Sequence, residues 1–241
     1  MKYFLFFLAL TVFYDCTRTA LKPVVNYYPG RPVKAPAVLP GDTVSYLALG
    51  DSYTYGVGVQ PDQSYPFQLA ALLRDSGYLI KDPTVIAFQG WTVNDLLTAI
   101  MAKNPGKKFD FVTILIGAND ENKHTDLNLY TTRLDNLITQ AITYAAGYGN
   151  RVFVISIPDW SVTPFANGMD KAQIRDDVAR FNTINQFEST RLGAHYIDIT
   201  ALSEQLAADP TMSVSDGLHP SAKAHALWAK QIQANVMASF K

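Results

Sequence analysis

Four short blocks of the sequence hold side chains that could act together in covalent chemistry. The first is Gly50-Asp51-Ser52-Tyr53-Thr54-Tyr55-Gly56, directly after the apolar run Tyr46–Leu49. A serine at a strand-to-helix turn shows its hydroxyl to solvent and keeps its own N–H free, which suits a nucleophile whose backbone also steadies an oxyanion. The same residues alone also read as a helix N-cap or a glycine turn. The second block is Gln89-Gly90-Trp91-Thr92. A glycine there lets a ligand approach the backbone and offers an N–H donor, and alone it is equally a plain turn. The third is Gly117-Ala118-Asn119-Asp120, where the Asn119 amide is a neutral donor for developing negative charge, or simply turn chemistry. The fourth is Asp216-Gly217-Leu218-His219-Pro220. Its spacing lets the carboxylate fold back to the imidazole, hold Nδ1–H and leave Nε2 free as a base. An Asp-Gly turn beside a surface histidine is the alternative. Pro220 suits the first turn of a helix and keeps His219 extended.

Ser, Gly, Asn and Asp/His occur in that chain order, and the first three each follow a predicted strand. This set resembles the SGNH (GDSL-type) hydrolases, whose four named positions match Ser52, Gly90, Asn119 and His219, with Asp216 at the usual place three residues before the histidine. The likeness runs from about Tyr46 to the last helix. Tyr53 departs from the pattern, standing where the namesake motif has leucine. The resemblance implies a three-layer α/β/α sandwich with a flavodoxin-like five-stranded parallel sheet. It also implies ester or thioester hydrolysis with no metal or cofactor, and an oxyanion hole built from the Ser52 N–H, the Gly90 N–H and the Asn119 side chain. Ser52, His219 and Asp216 would then be nucleophile, base and orienting acid.

Competing chemistries find little support. The Gly50–Gly56 turn lacks the Gly-Lys-Ser/Thr of a nucleotide loop, and there is neither a Gly-x-Ser-x-Gly elbow nor a His-Glu-x-x-His zinc helix. Four scattered histidines, His124, His195, His219 and His225, make no metal pattern. His225 is expected on the surface of the last helix and His195 at the start of a strand. Trp91, Tyr53 and Tyr55 flank the proposed site and could line its pocket or belong to the core. Twenty basic and 21 acidic residues give a formal charge of −1, so no net field draws in nucleic acid. The single cysteine, Cys16, excludes an intramolecular disulfide and a cysteine zinc cluster.

The elements that must position these blocks follow from periodicity. Short runs rich in Val, Ile and Phe, at Tyr46–Leu49, Thr84–Phe88, Phe111–Ile116, Val152–Ile157 and His195–Ile199, read as strands buried on both faces. Apolar residues three and four apart fill the gaps: Tyr130, Leu134, Leu137, Ile138, Ala141 and Ala145; then Ile174, Val178, Phe181 and Ile184; then Ala224, Trp228, Ile232 and Val236. Shorter helices are expected over Tyr65–Arg74 and Val93–Ala102. Alternating strands and helices predict a parallel sheet covered on both sides, with ligands beyond the carboxyl ends of its strands. The loops to watch are Gly50–Gln63, Gln89–Thr92, Gly117–Asp126 and Pro158–Gly168.

The N-terminal region reads differently. Met1-Lys2 leads into an uncharged run, Tyr3–Tyr14, too short for a bilayer span of about 20 residues but shaped like an export signal. Cys16 follows it directly, as in a bacterial lipoprotein signal, although Phe13-Tyr14-Asp15 replaces the usual small residues. Residues 1–16 are therefore expected to be a signal, with Cys16 a possible lipidation site giving membrane attachment. Residues 17–43 hold five of the 13 prolines and read as an extended tether, or as an arm laid on the domain with Tyr27 and Tyr28 as anchors. Residues 44–241 are expected to form the SGNH-type hydrolase domain. The expectation is an exported serine esterase, periplasmic, in the cell envelope or secreted. Its substrate would be a lipid-type acyl ester or, alternatively, an acetyl group on a polysaccharide. A rival of another class is a surface glycan-binding protein that has kept the scaffold without catalysis.

Overall fold

The computed structural model describes residues 34–106 and 108–241. In chain order the first elements are β1 (Thr43–Val44), β2 (Tyr46–Gly50), α1 (Ser52–Tyr55), α2 (Tyr65–Asp75), β3 (Leu79–Ile80), β4 (Thr84–Ala87) and α3 (Val93–Lys103). There follow β5 (Phe111–Leu115), α4 (Ala118–Asn122), α5 (Leu127–Tyr144), β6 (Val152–Ile155), α6 (Lys171–Arg191), β7 (His195–Ile197), α7 (Thr200–Ala208) and α8 (Ala222–Ser239). Five strands pair in parallel in the order β4-β2-β5-β6-β7. This is a doubly wound arrangement whose strand order reverses at β2, so the crevice between the ends of β2 and β5 is where such sheets take ligands.

The pleat sorts the strand residues into two cores. Leu47, Leu49, Val112, Ile114, Val152 and Val154 face one side, where α3, α5 and α6 lay down Leu96, Leu134 and Phe181. Tyr46, Ala48, Phe111, Phe153 and Ile155 face the other, against Leu69 and Leu73 of α2 and Trp228 and Ile232 of α8. Both faces of β2, β5 and β6 are thus apolar, which is why these strands carry no polar alternation. The apolar runs outlast the strands: Ile116, Ile157 and Ile199 remain buried past the last ladder pair. Hydrophobicity reports burial and cannot locate the residue at which pairing stops.

Three features depart from the sequence expectations. The two-residue strands β1 and β3 form a separate parallel pair, Thr43 with Leu79 and Val44 with Ile80, too short to leave a period. Helix α7 has no counterpart among the expected elements. The buried face of α6 also carries polar groups: Asn182 donates to the Ile157 carbonyl and accepts the Ile157 N–H, and Asn185 accepts the Tyr130 hydroxyl. The end of the Pro-rich segment lies on the domain as an arm. The Val38 N–H donates to the Phe240 carbonyl at 2.8 Å, the Ala35 N–H reaches Asn150 Oδ1, and buried Arg151 donates to the Pro36 carbonyl. The apolar run Tyr3–Tyr14, Cys16, Tyr27 and Tyr28 lie outside the described residues.

Gly50 sets the closeness of β2 to β5 where the site begins. A Cβ there would stand 2.3 Å from the Leu115 carbonyl oxygen and 2.1 Å from Thr54 Oγ1. Rotation can move the threonine hydroxyl but not its Cβ, which would stand at 2.7 Å, and the carbonyl is fixed in the backbone. Gly50→Ala is therefore expected to cost about 1–3 kcal/mol or more, as overpacked positions do. Urea denaturation should show a lower midpoint with an unchanged slope, and a midpoint equal to that of the parent would refute the close approach.

Candidate active site

The turn after β2 is built around Asp51. Its Oδ1 accepts the Tyr53 N–H at 3.0 Å, which caps α1 and makes Ser52 the first helical residue. The first N–H of a helix has no intrahelical partner, so the Ser52 N–H is left uncommitted by α1 at the carboxyl end of β2. Gly56 closes the short helix in the left-handed region at φ 83°, its N–H returning to the Ser52 carbonyl. Ser52 is only 7% exposed.

The second and third blocks are tied to one another. Gly90 sits at φ 80° with open space where a Cβ would be, so backbone conformation, not crowding, favours glycine here. Asn119, in the first turn of α4, donates through Nδ2 to the Trp91 carbonyl at 3.0 Å. One amide hydrogen is spent on that bond and the other remains for a ligand. Lys123 Nζ reaches the Gly90 carbonyl at 3.5 Å, and buried Asp120 accepts the Val93 N–H at 2.8 Å. Helix α4 and its C-cap residue Lys123 thus grip the Gly90 turn and the start of α3 at three points.

The fourth block folds back on itself. Asp216 Oδ1 accepts the N–H groups of Leu218 and His219 at 2.8 and 2.9 Å, while Oδ2 meets His219 Nδ1 at 2.7 Å. One carboxylate therefore shapes the loop and holds the imidazole, leaving Nε2 uncommitted. Burial alone would raise the Asp216 carboxyl, but the hydrogen bonds from His219 and Leu218 outweigh it and hold the group below its usual range. The loop is pinned by the Val214 N–H on the His219 carbonyl at 2.9 Å and by the Phe165 N–H on the Gly217 carbonyl at 3.1 Å.

Ser52, Gly90, Asn119 and His219 line a single cleft of about 240 Å³. Its walls bring in residues that the sequence did not single out: Trp160, Phe165 and Met169 from the loop after β6, and Leu218. That loop was marked by its place after a strand, but nothing local shows which of its side chains turn inward. Trp160 is oriented by its Nε1–H on Glu121 Oε2 at 2.8 Å, and burial raises that carboxyl. Of the three flanking aromatics, Tyr53 lines the cleft, while Trp91 and Tyr55 do not. Tyr55 meets Phe88 edge-on at 5.7 Å and Phe88 leans on Trp91 at 5.9 Å, outside the cleft. His225 is not a surface residue. It is fully buried, because the first turn of α8 faces α2 rather than solvent.

Two carboxyls beside the cleft, Asp51 and Asp120, are buried. Burial pushes Asp51 up to about 7, with Asp120 adding to the rise and the Tyr53 N–H opposing it. Burial likewise pushes Asp120 up to about 6 against the pull of the Val93 N–H. Each keeps one oxygen without a partner, Asp51 Oδ2 and Asp120 Oδ1. A carboxyl raised by folding binds its proton more tightly in the folded than in the unfolded chain. Its presence therefore costs stability progressively as pH rises from about 4 to about 7. Asp51→Asn keeps an acceptor for Tyr53 and removes the charge. It should be at least 1 kcal/mol more stable than the parent at pH 8, about 2–4 °C in melting temperature, with the gain vanishing near pH 4. Equal melting temperatures at pH 8 would show that Asp51 ionises freely.

Residues 48–227 match the GDSL-like Lipase/Acylhydrolase family. No curated protein sequence matches the chain. Among solved structures the fold is similar to that of TesA, with a TM-score of 0.65 at 18% identity over 81% of this chain and 99% of the other. It is similar to the acetylxylan esterase Axe2 from Geobacillus stearothermophilus, with a TM-score of 0.63 at 17% identity over 85% and 96%. It is also similar to phospholipase A1 from Streptomyces albidoflavus, with a TM-score of 0.62 at 18% identity over 80% and 99%. The match spans the cleft, all four sequence blocks and the five-stranded sheet from the third residue of β2 onward, and the chain belongs to the GDSL-like lipase/acylhydrolase family as a carboxylic ester hydrolase.

Proposed function

We propose that the protein hydrolyses esters of acyl groups longer than acetyl through an acyl-enzyme on Ser52. The observation that carries this is the 2.7 Å pairing of Asp216 Oδ2 with His219 Nδ1 at the edge of the cleft that Ser52 lines. In the acylation step Ser52 Oγ attacks the carbonyl carbon and its proton passes to His219 Nε2. The oxyanion that forms takes the Ser52 and Gly90 N–H groups and the free hydrogen of Asn119 Nδ2. Collapse expels the alcohol, which leaves with the proton from His219. Water then attacks the acyl carbon as His219 takes its proton, and release of the acid returns the proton to Ser52. Asp216 holds the imidazole in the tautomer that both steps need and balances the imidazolium.

The acyl-chain preference rests on the cleft walls. Trp160, Phe165, Met169 and Leu218 offer apolar surface and few donors, and Phe165 and Met169 are about half exposed, ready to be covered by a chain. The fold neighbours act on different esters, among them acetylxylan, so the walls decide for this chain. A second substrate class, acetyl groups on a polysaccharide, is favoured by one observation: Tyr55, Phe88 and Trp91 form a run of touching rings beside Gly90 on which sugars could stack. We also propose export and anchoring, from Lys2, the run Tyr3–Tyr14, Cys16 and the prolines that follow.

Ser52→Ala and His219→Ala should each lower kcat by several orders of magnitude, and the double variant little further, because the two act as a unit. Asn119→Ala should lower kcat by roughly 10²–10³ with little change in KM; a raised KM with intact kcat would make Asn119 a binding residue only. Across nitrophenyl esters of increasing chain length, kcat/KM should climb beyond acetyl, and acetylated xylan should be a poor substrate. The opposite ranking would select the polysaccharide class. Labelled palmitate should enter the wild type in cells and not Cys16→Ser, whereas unprocessed protein in the cytosol would end the export proposal.

A further inference from the structure

We infer that His225 is a positioning residue for His219: its buried imidazole accepts the first N–H of α2 and so fixes the start of α8, and the His219 loop before it, against the segment that follows Ser52. This rests on Ser52 and His219 being nucleophile and base.

Helices α2 and α8 begin side by side, and neither supplies its own cap. Ser64, at the N-cap of α2, makes no side-chain cap bond and gives its hydroxyl to the Pro61 carbonyl; Ser221, at the N-cap of α8, makes none either. The first N–H groups of a helix are orphans that a buried site must satisfy. Here the Tyr65 N–H, the first of α2, donates to His225 Nδ1 at 3.2 Å, across 160 residues of chain. Gln68 Nε2, one turn further along α2, donates to the Ala222 carbonyl at the start of α8 at 3.0 Å. Each helix start thus bonds the other: His225 of α8 caps the first N–H of α2, and Gln68 of α2 holds a carbonyl of the first turn of α8.

That junction reaches the cleft through a run of rings. His225 meets Trp228 at 5.4 Å, Trp228 meets Tyr53 at 6.0 Å, and Tyr53 meets His219 at 5.8 Å. Tyr53 follows Ser52 in the chain, and all four rings are buried. The His219 loop is otherwise held by the Ser221 N–H on the Met212 carbonyl, by the short bridge between Ser213 and Pro220, and by the Phe165 N–H on the Gly217 carbonyl from the loop after β6. The Tyr65–His225 bond, with the Gln68 bond to Ala222 and the Gln233 bonds to Leu72 and Ser76, ties this unit to α2, which follows Ser52 in the chain, and it is the one of these bonds that a histidine supplies.

The imidazole suits the task because it stays neutral. Accepting at Nδ1 places its proton on Nε2, which has no partner. Burial, with a smaller contribution from the nearby His219, lowers the group to about 3. The positive ends of two helices also face it, which disfavours a cation at that point. It therefore remains an acceptor throughout the range in which an ester hydrolase works.

The test compares His225→Asn with His225→Gln. Asparagine places its Oδ1 where the imidazole carries Nδ1, while the glutamine acceptor lies one bond farther out. Active sites are first titrated with a fluorophosphonate, so that kcat is expressed per reactive serine and loss of folded protein is removed from the comparison. On a nitrophenyl ester, H225Q should lose roughly tenfold or more in kcat with KM unchanged, as expected for a displaced base, and H225N should stay close to the parent. A parental kcat in H225Q, or H225N as slow as H225Q, would overturn the inference. If H225Q yields no titratable protein, Gln68→Leu opens the same junction without touching His225: a lower kcat at constant KM supports the inference and an unchanged kcat overturns it. A wild-type enzyme that hydrolyses the ester yet takes up no fluorophosphonate would instead sink the serine mechanism on which the inference stands.

Discussion

The Leu115 carbonyl oxygen lies 2.3 Å from where a Cβ of residue 50 would be, so β2 and β5 can end side by side only with glycine at that position. Their ladder runs in register to its last pair, Gly50 with Leu115, and both chains leave the sheet together. Two residues past the end of β2 stands Ser52, and four past the end of β5 stands Asn119. A parallel sheet spends its backbone donors on neighbouring strands, so free N–H groups collect only where strands stop and helices begin. The crevice at the reversal of strand order is the place where two such ends face one outlet. The oxyanion hole proposed from Ser52, Gly90 and Asn119 would use that geometry: the tight end of the β2–β5 pair brings two of the three residues to it, and Gly90 comes from the turn after β4.

The remainder of the machinery arrives from the far end of the chain and has to be docked. The Asp216–His219 loop is rigid within itself, since one carboxylate satisfies two backbone N–H groups and the imidazole at once. Its place relative to Ser52 depends on α8 packing over Tyr46, Phe111 and Phe153 and against α2. Burial that stabilises this layer therefore also sets the reach of the base, and stability and function share the same residues there. The buried carboxyls Asp51 and Asp120 show the opposite relation. Each organises a turn next to the cleft by accepting one backbone N–H, at the cost of an unpartnered oxygen in a place that disfavours charge.

Much of this was legible in the sequence, for reasons that can be traced to particular residues. Runs such as Phe111–Ile116 announce double-faced burial, and Tyr130, Leu134, Leu137 and Ile138 announce one helical face, because side-chain period and burial are tied by geometry. The blocks holding Ser52, Gly90, Asn119, Asp216 and His219 could be found because each is local. Partners distant in sequence were hidden. His225 looked like a polar residue on a surface helix, and only the Tyr65 N–H, 160 residues away, explains its burial. Asn182 and Asn185 broke the apolar period of α6 because they serve the Ile157 backbone and the Tyr130 hydroxyl. Trp160, Phe165 and Met169 became cleft walls through the turns of a loop that follows no period. Strands β1 and β3, two residues each, pair because their neighbours place them together.

Hydrolysis through a single covalent centre at Ser52 is the claim on which the other functional statements stand. Its most direct test is to add a fluorophosphonate in substoichiometric steps, follow residual ester hydrolysis, and locate the adduct by intact mass and peptide mapping. One adduct per chain, on Ser52, with activity falling in proportion to occupancy, is the predicted result. Full occupancy of Ser52 with hydrolysis intact, or loss of activity with the adduct on another residue, would contradict it.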